Sequence, residues 1–163
     1  MEMQTLTTLE LLRTHGAILD ELRRRDVVRS ANSPISDYAE LLFCQAFGWL
    51  REGNSAAGYD ARDATTSERY QIKARRLRAL TGSRQLSALR NLSSDPFDVL
   101  AGVLFNSDFT ILRAALIPIA LVKDRTRHSS HTNSDIFHLR DDVWSLTGVV
   151  DVTEKLTSAA KIL

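Results

Sequence analysis

YDARDATTSERYQIKARR, residues Tyr59 to Arg76, is the stretch on which the reading of this chain turns. Two short half-apolar segments flank a polar centre, Ala64 to Glu68, as the arms of a β-hairpin do. In the first arm Tyr59, Ala61 and Asp63 face one way, and Asp60 and Arg62 the other. In the second, Tyr70, Ile72 and Ala74 alternate with Gln71, Lys73 and Arg75. Gln71 and Lys73 therefore share a face, about 7 Å apart by the rise per residue. Pairing across the loop brings Asp60 alongside Gln71. A hairpin that only packed would have no use for an acid, an amide and a lysine there.

Working outward, Thr7 followed by Glu10 has capping-box spacing and predicts a helix running to about Val28. This N-terminal segment, 1–30, packs on the core or pairs with a second copy as a homodimer. SANSPIS breaks the chain, with Pro34 at a turn or first-turn position. A second helix is expected from Asp37 to Leu50, where Ala39, Leu42, Phe43, Ala46, Phe47 and Leu50 make one apolar stripe. Glu40 lies at the edge of that stripe. Downstream of the hairpin, Pro96 to Phe105 reads as a buried strand and Phe109 to Leu116 as its antiparallel partner. Pro118 to Lys123 reads as a short helix or the strand's end, Arg125 to Ser134 as a polar loop, and Thr153 starts a small helix. The order predicts one α/β domain over 1–163, with its core at 36–123 and a C-terminal extension of short mixed elements at 124–163.

Composition narrows the function classes. Hydrophobic residues at 44% and charged residues at 25% are those of an ordinary globular chain of 163 residues. A net charge of +1 gives no global sign of a polyanionic partner, so local charge must carry that argument. Cys44 is the only cysteine, which excludes an intramolecular disulfide and a cysteine-based zinc site. The start of the chain lacks the basic and apolar regions of a signal peptide, and Ala114 to Val122 is too short to span a bilayer. The expectation is a cytoplasmic protein with no membrane partner.

Asp60, Gln71 and Lys73, with Glu40 from the packed helix, bring oxygen ligands and an ammonium to one sheet surface. Oxygen ligands suit a hard ion such as Mg²⁺, and a neighbouring lysine can orient or help deprotonate a water. In this the chain resembles the PD-(D/E)XK, or restriction-endonuclease-like, nuclease superfamily. The residues that carry the resemblance are SDYAELLFCQAFG with Glu40, GYDARD with Asp60, and RYQIKARR with Gln71 and Lys73. FDVLAGVLFN and FTILRAALIP continue the order. Gln71 stands where that superfamily's pattern has an acid, as in its Gln-x-Lys members, and Tyr59 stands where it has proline. The resemblance implies a restriction-endonuclease-like core, with a central mixed sheet flanked by helices. It also implies Mg²⁺- or Mn²⁺-dependent cleavage of DNA. Asp60, Glu40, Gln71 and the Ile72 carbonyl would be metal ligands, and Lys73 the water-activating residue.

Arg69 to Arg90 contains seven cations and no acid: Arg69, Lys73, Arg75, Arg76, Arg78, Arg84 and Arg90. Arginine suits bidentate phosphate contacts, and Arg69, Arg75, Arg76, Arg78 and Arg84 are the candidate nucleic-acid contacts. His128 and His131 lie in a polar stretch without the carboxylate spacing of a zincin, and read as loop residues. A structural account of each site residue is also open: Lys73 as a solvated strand lysine, Gln71 as polar filler, Asp60 as a turn cap, Glu40 paired with Arg51. Three functions follow: a metal-dependent nuclease, an inactive nucleic-acid-binding module on the same fold, or a protein-interaction domain.

Overall fold

The computed structural model describes residues 2–29, 33–53, 58–78, 82–131 and 133–163. Helix α1 (Thr8–Arg24) opens with the expected capping box. Thr7 accepts from the Glu10 N–H at 3.3 Å, and the Glu10 carboxylate accepts from the Thr7 N–H at 2.7 Å. The helix ends at Arg24, four residues before the expected Val28, and none of its residues is buried. Helix α2 (Ile35–Phe47) follows and stops at Gly48, whose φ of 70° is left-handed. That conformation suits glycine because it has no Cβ to clash. Of the expected break before α2, Ser30 to Asn32 lie outside the described residues.

The strands β1 (Leu50–Arg51), β2 (Ala61–Arg62), β3 (Arg69–Arg76), β4 (Val99–Phe105) and β5 (Ile111–Pro118) stand side by side in chain order, and β8 (Val150–Asp151) closes the far edge. Every neighbouring pair is antiparallel except β3 and β4, which run parallel. The sheet is therefore mixed and, among the described residues, has six strands. Between β5 and β8 come α3 (Ile119–Arg125) and a small hairpin of β6 (Arg127–Ser129) with β7 (Ser134–Ile136). The expected polar loop thus holds paired strands, because His128 and Asp135 face each other across the hairpin. Helix α4 (Thr153–Ala160) ends the fold.

Period-two alternation on β3 and β4 divides the core in two. Tyr70, Ile72, Ala101, Val103 and Phe105 meet α2 through Ala39, Leu42 and Phe43, and α4 through Leu156 and Ala159. Phe43, Phe47, Trp49 and Tyr70 stack in that layer, Trp49 lying 3.6 Å from Tyr70 between ring centroids. Each fully buried aromatic or aliphatic side chain contributes about 1.5–3 kcal/mol. On the other face Leu100 and Leu104 meet Leu86, Leu89, Phe97, Phe137, Leu139 and Val143. Residues 82–91 form no helix and are tied to the C-terminal part by bridges at Gln85–His138 and Leu89–Asp135. Among the described residues no helix is long and apolar enough to cross a membrane.

Candidate active site

β2 contributes only two residues to the ladder, so the chain leaves β3 just where Asp60 sits. Ala61 pairs with Tyr70, and the Asp60 N–H donates to the Tyr70 carbonyl at 2.8 Å. Asp60 alternates with buried Ala61, which turns its side chain to the face that Gln71 and Lys73 share. There Asp60 Oδ2 accepts from the Ile72 N–H at 2.7 Å and from the Gln71 side-chain amide. The expected approach of Asp60 to Gln71 is present, and the bond from the Ile72 N–H is an addition to it. Oδ1 of Asp60 has no hydrogen-bond partner among the described residues.

Burial pushes the Asp60 carboxyl above the ordinary value, and the charge of Glu40 adds to the push. The Ile72 N–H, the Lys73 ammonium and the Gln71 amide pull the other way. Both Glu40 and Lys73 are thus close enough for Asp60 to feel their charge. Lys73 lies opposite Gly102 of β4, where a Cβ would stand 2.9 Å from Leu139 Cδ2. The absence of a side chain at Gly102 lets the covering segment close down beside Lys73.

Glu40 is differently placed. It rises from α2, the helix that packs on the opposite face of β3. Its Oε2 accepts from Arg29 at 2.5 Å and from Arg51 Nε at 2.9 Å. The Arg51 pairing noted above as the structural account of Glu40 is therefore present. Arg29 is a partner that sequence reasoning did not find. It sits eleven residues upstream in irregular chain after buried Val28, where no periodicity points to it. The Arg29 N–H also donates to Asp37 Oδ2 at 2.9 Å, and its guanidinium to the Glu52 carbonyl at 2.9 Å. Cys44, one turn after Glu40, has its thiol pushed up to about 11, mainly by burial. A thiol held protonated in this way is a poor nucleophile.

The oxygen donors able to meet a cation are Asp60 Oδ1, the Ile72 carbonyl and the Gln71 amide. In a strand a residue's N–H and C=O point to the same side, so the Ile72 carbonyl is aimed into the gap that its N–H already shares with Asp60. While the Gln71 amide NH2 donates to Asp60 Oδ2, its Oε1 remains as an acceptor. Among the described residues no three His, Cys, Asp or Glu side chains form a cage. A cation here would rest on one free carboxylate oxygen, neutral oxygens and water.

The candidate phosphate contacts divide into two groups. Arg69 is held by Asp98 through two bonds of 2.8 and 3.1 Å, and Arg84 by Asp141 at 2.6 Å. Arg75, Arg76 and Arg78 have no acidic partner among the described residues. With Ser33, Gly82 and Ser83 they line an open cleft of about 540 Å³ at the C-terminal end of β3. Arg76 also lies over the Phe109 ring, 4.5 Å from its centroid.

No protein-family model matches this chain, and no curated protein sequence matches it significantly.

Proposed function

We propose that the protein is a metal-dependent nuclease with a restriction-endonuclease-like core, cleaving phosphodiester bonds in nucleic acid, with DNA as the substrate. The observation that carries this reading is the grip on Asp60. A half-buried carboxylate is pinned at one oxygen by Ile72 and Gln71, open at the other, and followed along one strand face by Lys73. A turn cap needs no lysine two residues on. The helix–strand–strand order from α2 to β3 and the mixed sheet support the same reading.

In this reading Asp60, the Ile72 carbonyl and Gln71 Oε1 hold Mg²⁺ or Mn²⁺, hard ions that accept such oxygens and keep several waters. The ion supplies neutralisation of the charge that builds on the phosphodiester oxygens. Lys73 Nζ donates to the attacking water and orients it. The water oxygen bonds to phosphorus while the opposite P–O bond breaks. The water's proton passes to solvent, and the leaving oxygen takes one back. Arg75, Arg76 and Arg78 hold the strand's phosphates beyond Lys73, where arginine's planar fork suits them.

The test is cleavage of plasmid and linear DNA with Mg²⁺ or Mn²⁺ by wild type, Asp60→Ala and Lys73→Ala. Metal-dependent cutting lost in both variants is the expected result. Equal activity in all three, or none with any metal, ends the proposal.

One observation favours a second reading, an inactive nucleic-acid-binding module. The Glu40 carboxylate, which would replace the charge missing at Gln71, is already matched by two guanidinium groups. That module would bind DNA in a salt-sensitive way through Arg75, Arg76 and Arg78, and EDTA would leave binding unchanged.

A further inference from the structure

The charges around Asp60 cancel among themselves. Asp37, Glu40 and Asp60 supply three negative charges, and Arg29, Arg51 and Lys73 three positive ones. The contacts are close: Arg29 and Arg51 share one oxygen of Glu40, and Arg51 also reaches the Asp37 carbonyl at 3.0 Å. Glu40, Asp37 and Arg51 are largely covered, with side chains 14, 12 and 16% exposed. A divalent ion brought to such a neutral group adds two charges that nothing balances. Like charges a few ångströms apart in partly covered surroundings repel far more strongly than in water.

The two arginines differ in how they are held. Arg51 belongs to β1, paired with Ala61 in the sheet, so its position is set by the fold. Arg29 belongs to neither helix nor strand. It follows α1, a helix with no buried residue, and three hydrogen bonds tie it down, to Asp37, Glu40 and the Glu52 carbonyl.

We propose that Arg29 is a built-in cation that competes with the divalent ion for Glu40, so that loading the site releases the segment following α1. This rests on the metal-binding reading above. Arg29 stands in for the ion while the site is unloaded, as a second cation on the largely buried Glu40 carboxylate beside Arg51. Glu40 is tied to the edge of the sheet beside Asp60 by Arg51, which pairs with Ala61, so a cation held at Asp60 would draw the Glu40 carboxylate from that side and the Arg29 guanidinium would leave. The movable part is residues 25–29.

The test is titration of the full-length protein with Mn²⁺ alone, followed by calorimetry, on wild type, Arg29→Gln and Arg29→Lys. Arg29→Gln should bind Mn²⁺ about tenfold more tightly, a change of about 1.4 kcal/mol. Arg29→Lys, which keeps the charge, should remain near wild type, and Asp60→Asn should abolish binding in each background. Asp60-dependent binding that is unchanged or weaker in Arg29→Gln overturns the competition and leaves the metal reading standing. Absence of Asp60-dependent binding in every protein overturns both. Wild type alone gives a second readout that needs no variant to fold. Hydrogen exchange across residues 25–29 should quicken with saturating Mn²⁺, as the Arg29 N–H leaves Asp37, and unchanged or slower exchange counts against release.

Discussion

The Ile72 N–H donates to Asp60 Oδ2 at 2.7 Å, a backbone donor on one strand holding the carboxylate of the residue that starts its neighbour. Even with this bond, burial leaves the carboxyl above its unfolded value of 3.8. Between those two values the folded state binds more protons than the unfolded one. Stability therefore falls as pH rises through that window, and the full penalty is present above the folded value. Asp60→Asn removes it. The variant should melt higher than wild type at pH 7, by about 2–4 °C for each kcal/mol recovered at this chain length. The difference should vanish below the unfolded value. Melting curves from pH 3.5 to 7.5, followed by circular dichroism, decide this, and a lower melting point at pH 7 contradicts it.

Gln71→Glu should act in opposite directions with and without metal. In EDTA it places a second carboxylate beside Asp60 and deletes the amide donor, so the melting temperature drops. With Mn²⁺ the extra charge strengthens an all-oxygen site, by about tenfold in affinity or about 1.4 kcal/mol. Thermal shift with each addition reads both effects. A variant that is destabilised equally in EDTA and in Mn²⁺ speaks against a cation at this place.

The arginines should separate by their internal partners. Neutralising Arg75, Arg76 or Arg78 to Gln should weaken DNA binding and lower the slope of log affinity against log salt by about 1 per residue. Arg69→Gln and Arg84→Gln should leave that slope alone and cost about 0–1 kcal/mol of stability, as exposed ion pairs do. Fluorescence anisotropy of a labelled duplex across a salt series measures the slopes. Equal slope changes for all five arginines would show that Asp98 and Asp141 give way to DNA.

Gly102→Ala should destabilise the fold by about 1–3 kcal/mol, the range for overpacking a filled core. Its new Cβ would meet Leu139 Cδ2 at 2.9 Å, and Leu139 is fully buried. Chemical denaturation quantifies this. Recovery in the double variant with Leu139→Val would place the clash at that side chain.

Asp60, Gln71 and Lys73 were legible because strand alternation over eight residues fixes which side chains share a face, and the hairpin fixes which one lies opposite. The helix with Glu40 was legible from its apolar stripe except at its end, since Leu50, expected as the last member of the stripe, lies beyond Gly48 in β1 and is exposed. Arg29 was not, because its contacts with Asp37, Glu40 and Glu52 arise only when the irregular segment after α1 folds back along α2. The covering of the second sheet face was also hidden. Leu86 and Leu89 sit in a segment that forms neither helix nor strand, and it is tied down by bridges to Asp135 and His138. The far edge of the sheet depends on β8, a strand of two residues, too short for any pattern to mark.

The parallel pairing of β3 with β4 carries a consequence in time. Asp60, Gln71 and Ile72 are at most twelve residues apart, and Arg29, Glu40 and Glu52 lie within twenty-three of one another. Contacts so close in the chain close small loops and form cheaply. The strand beside them returns only after a crossover from Leu77 to Asp98, and long-range pairing of that kind is slow. Everything that could bind a cation thus belongs to the part of the chain that meets itself early. A truncation after β3 would retain each of these donors while losing the sheet that keeps them dry.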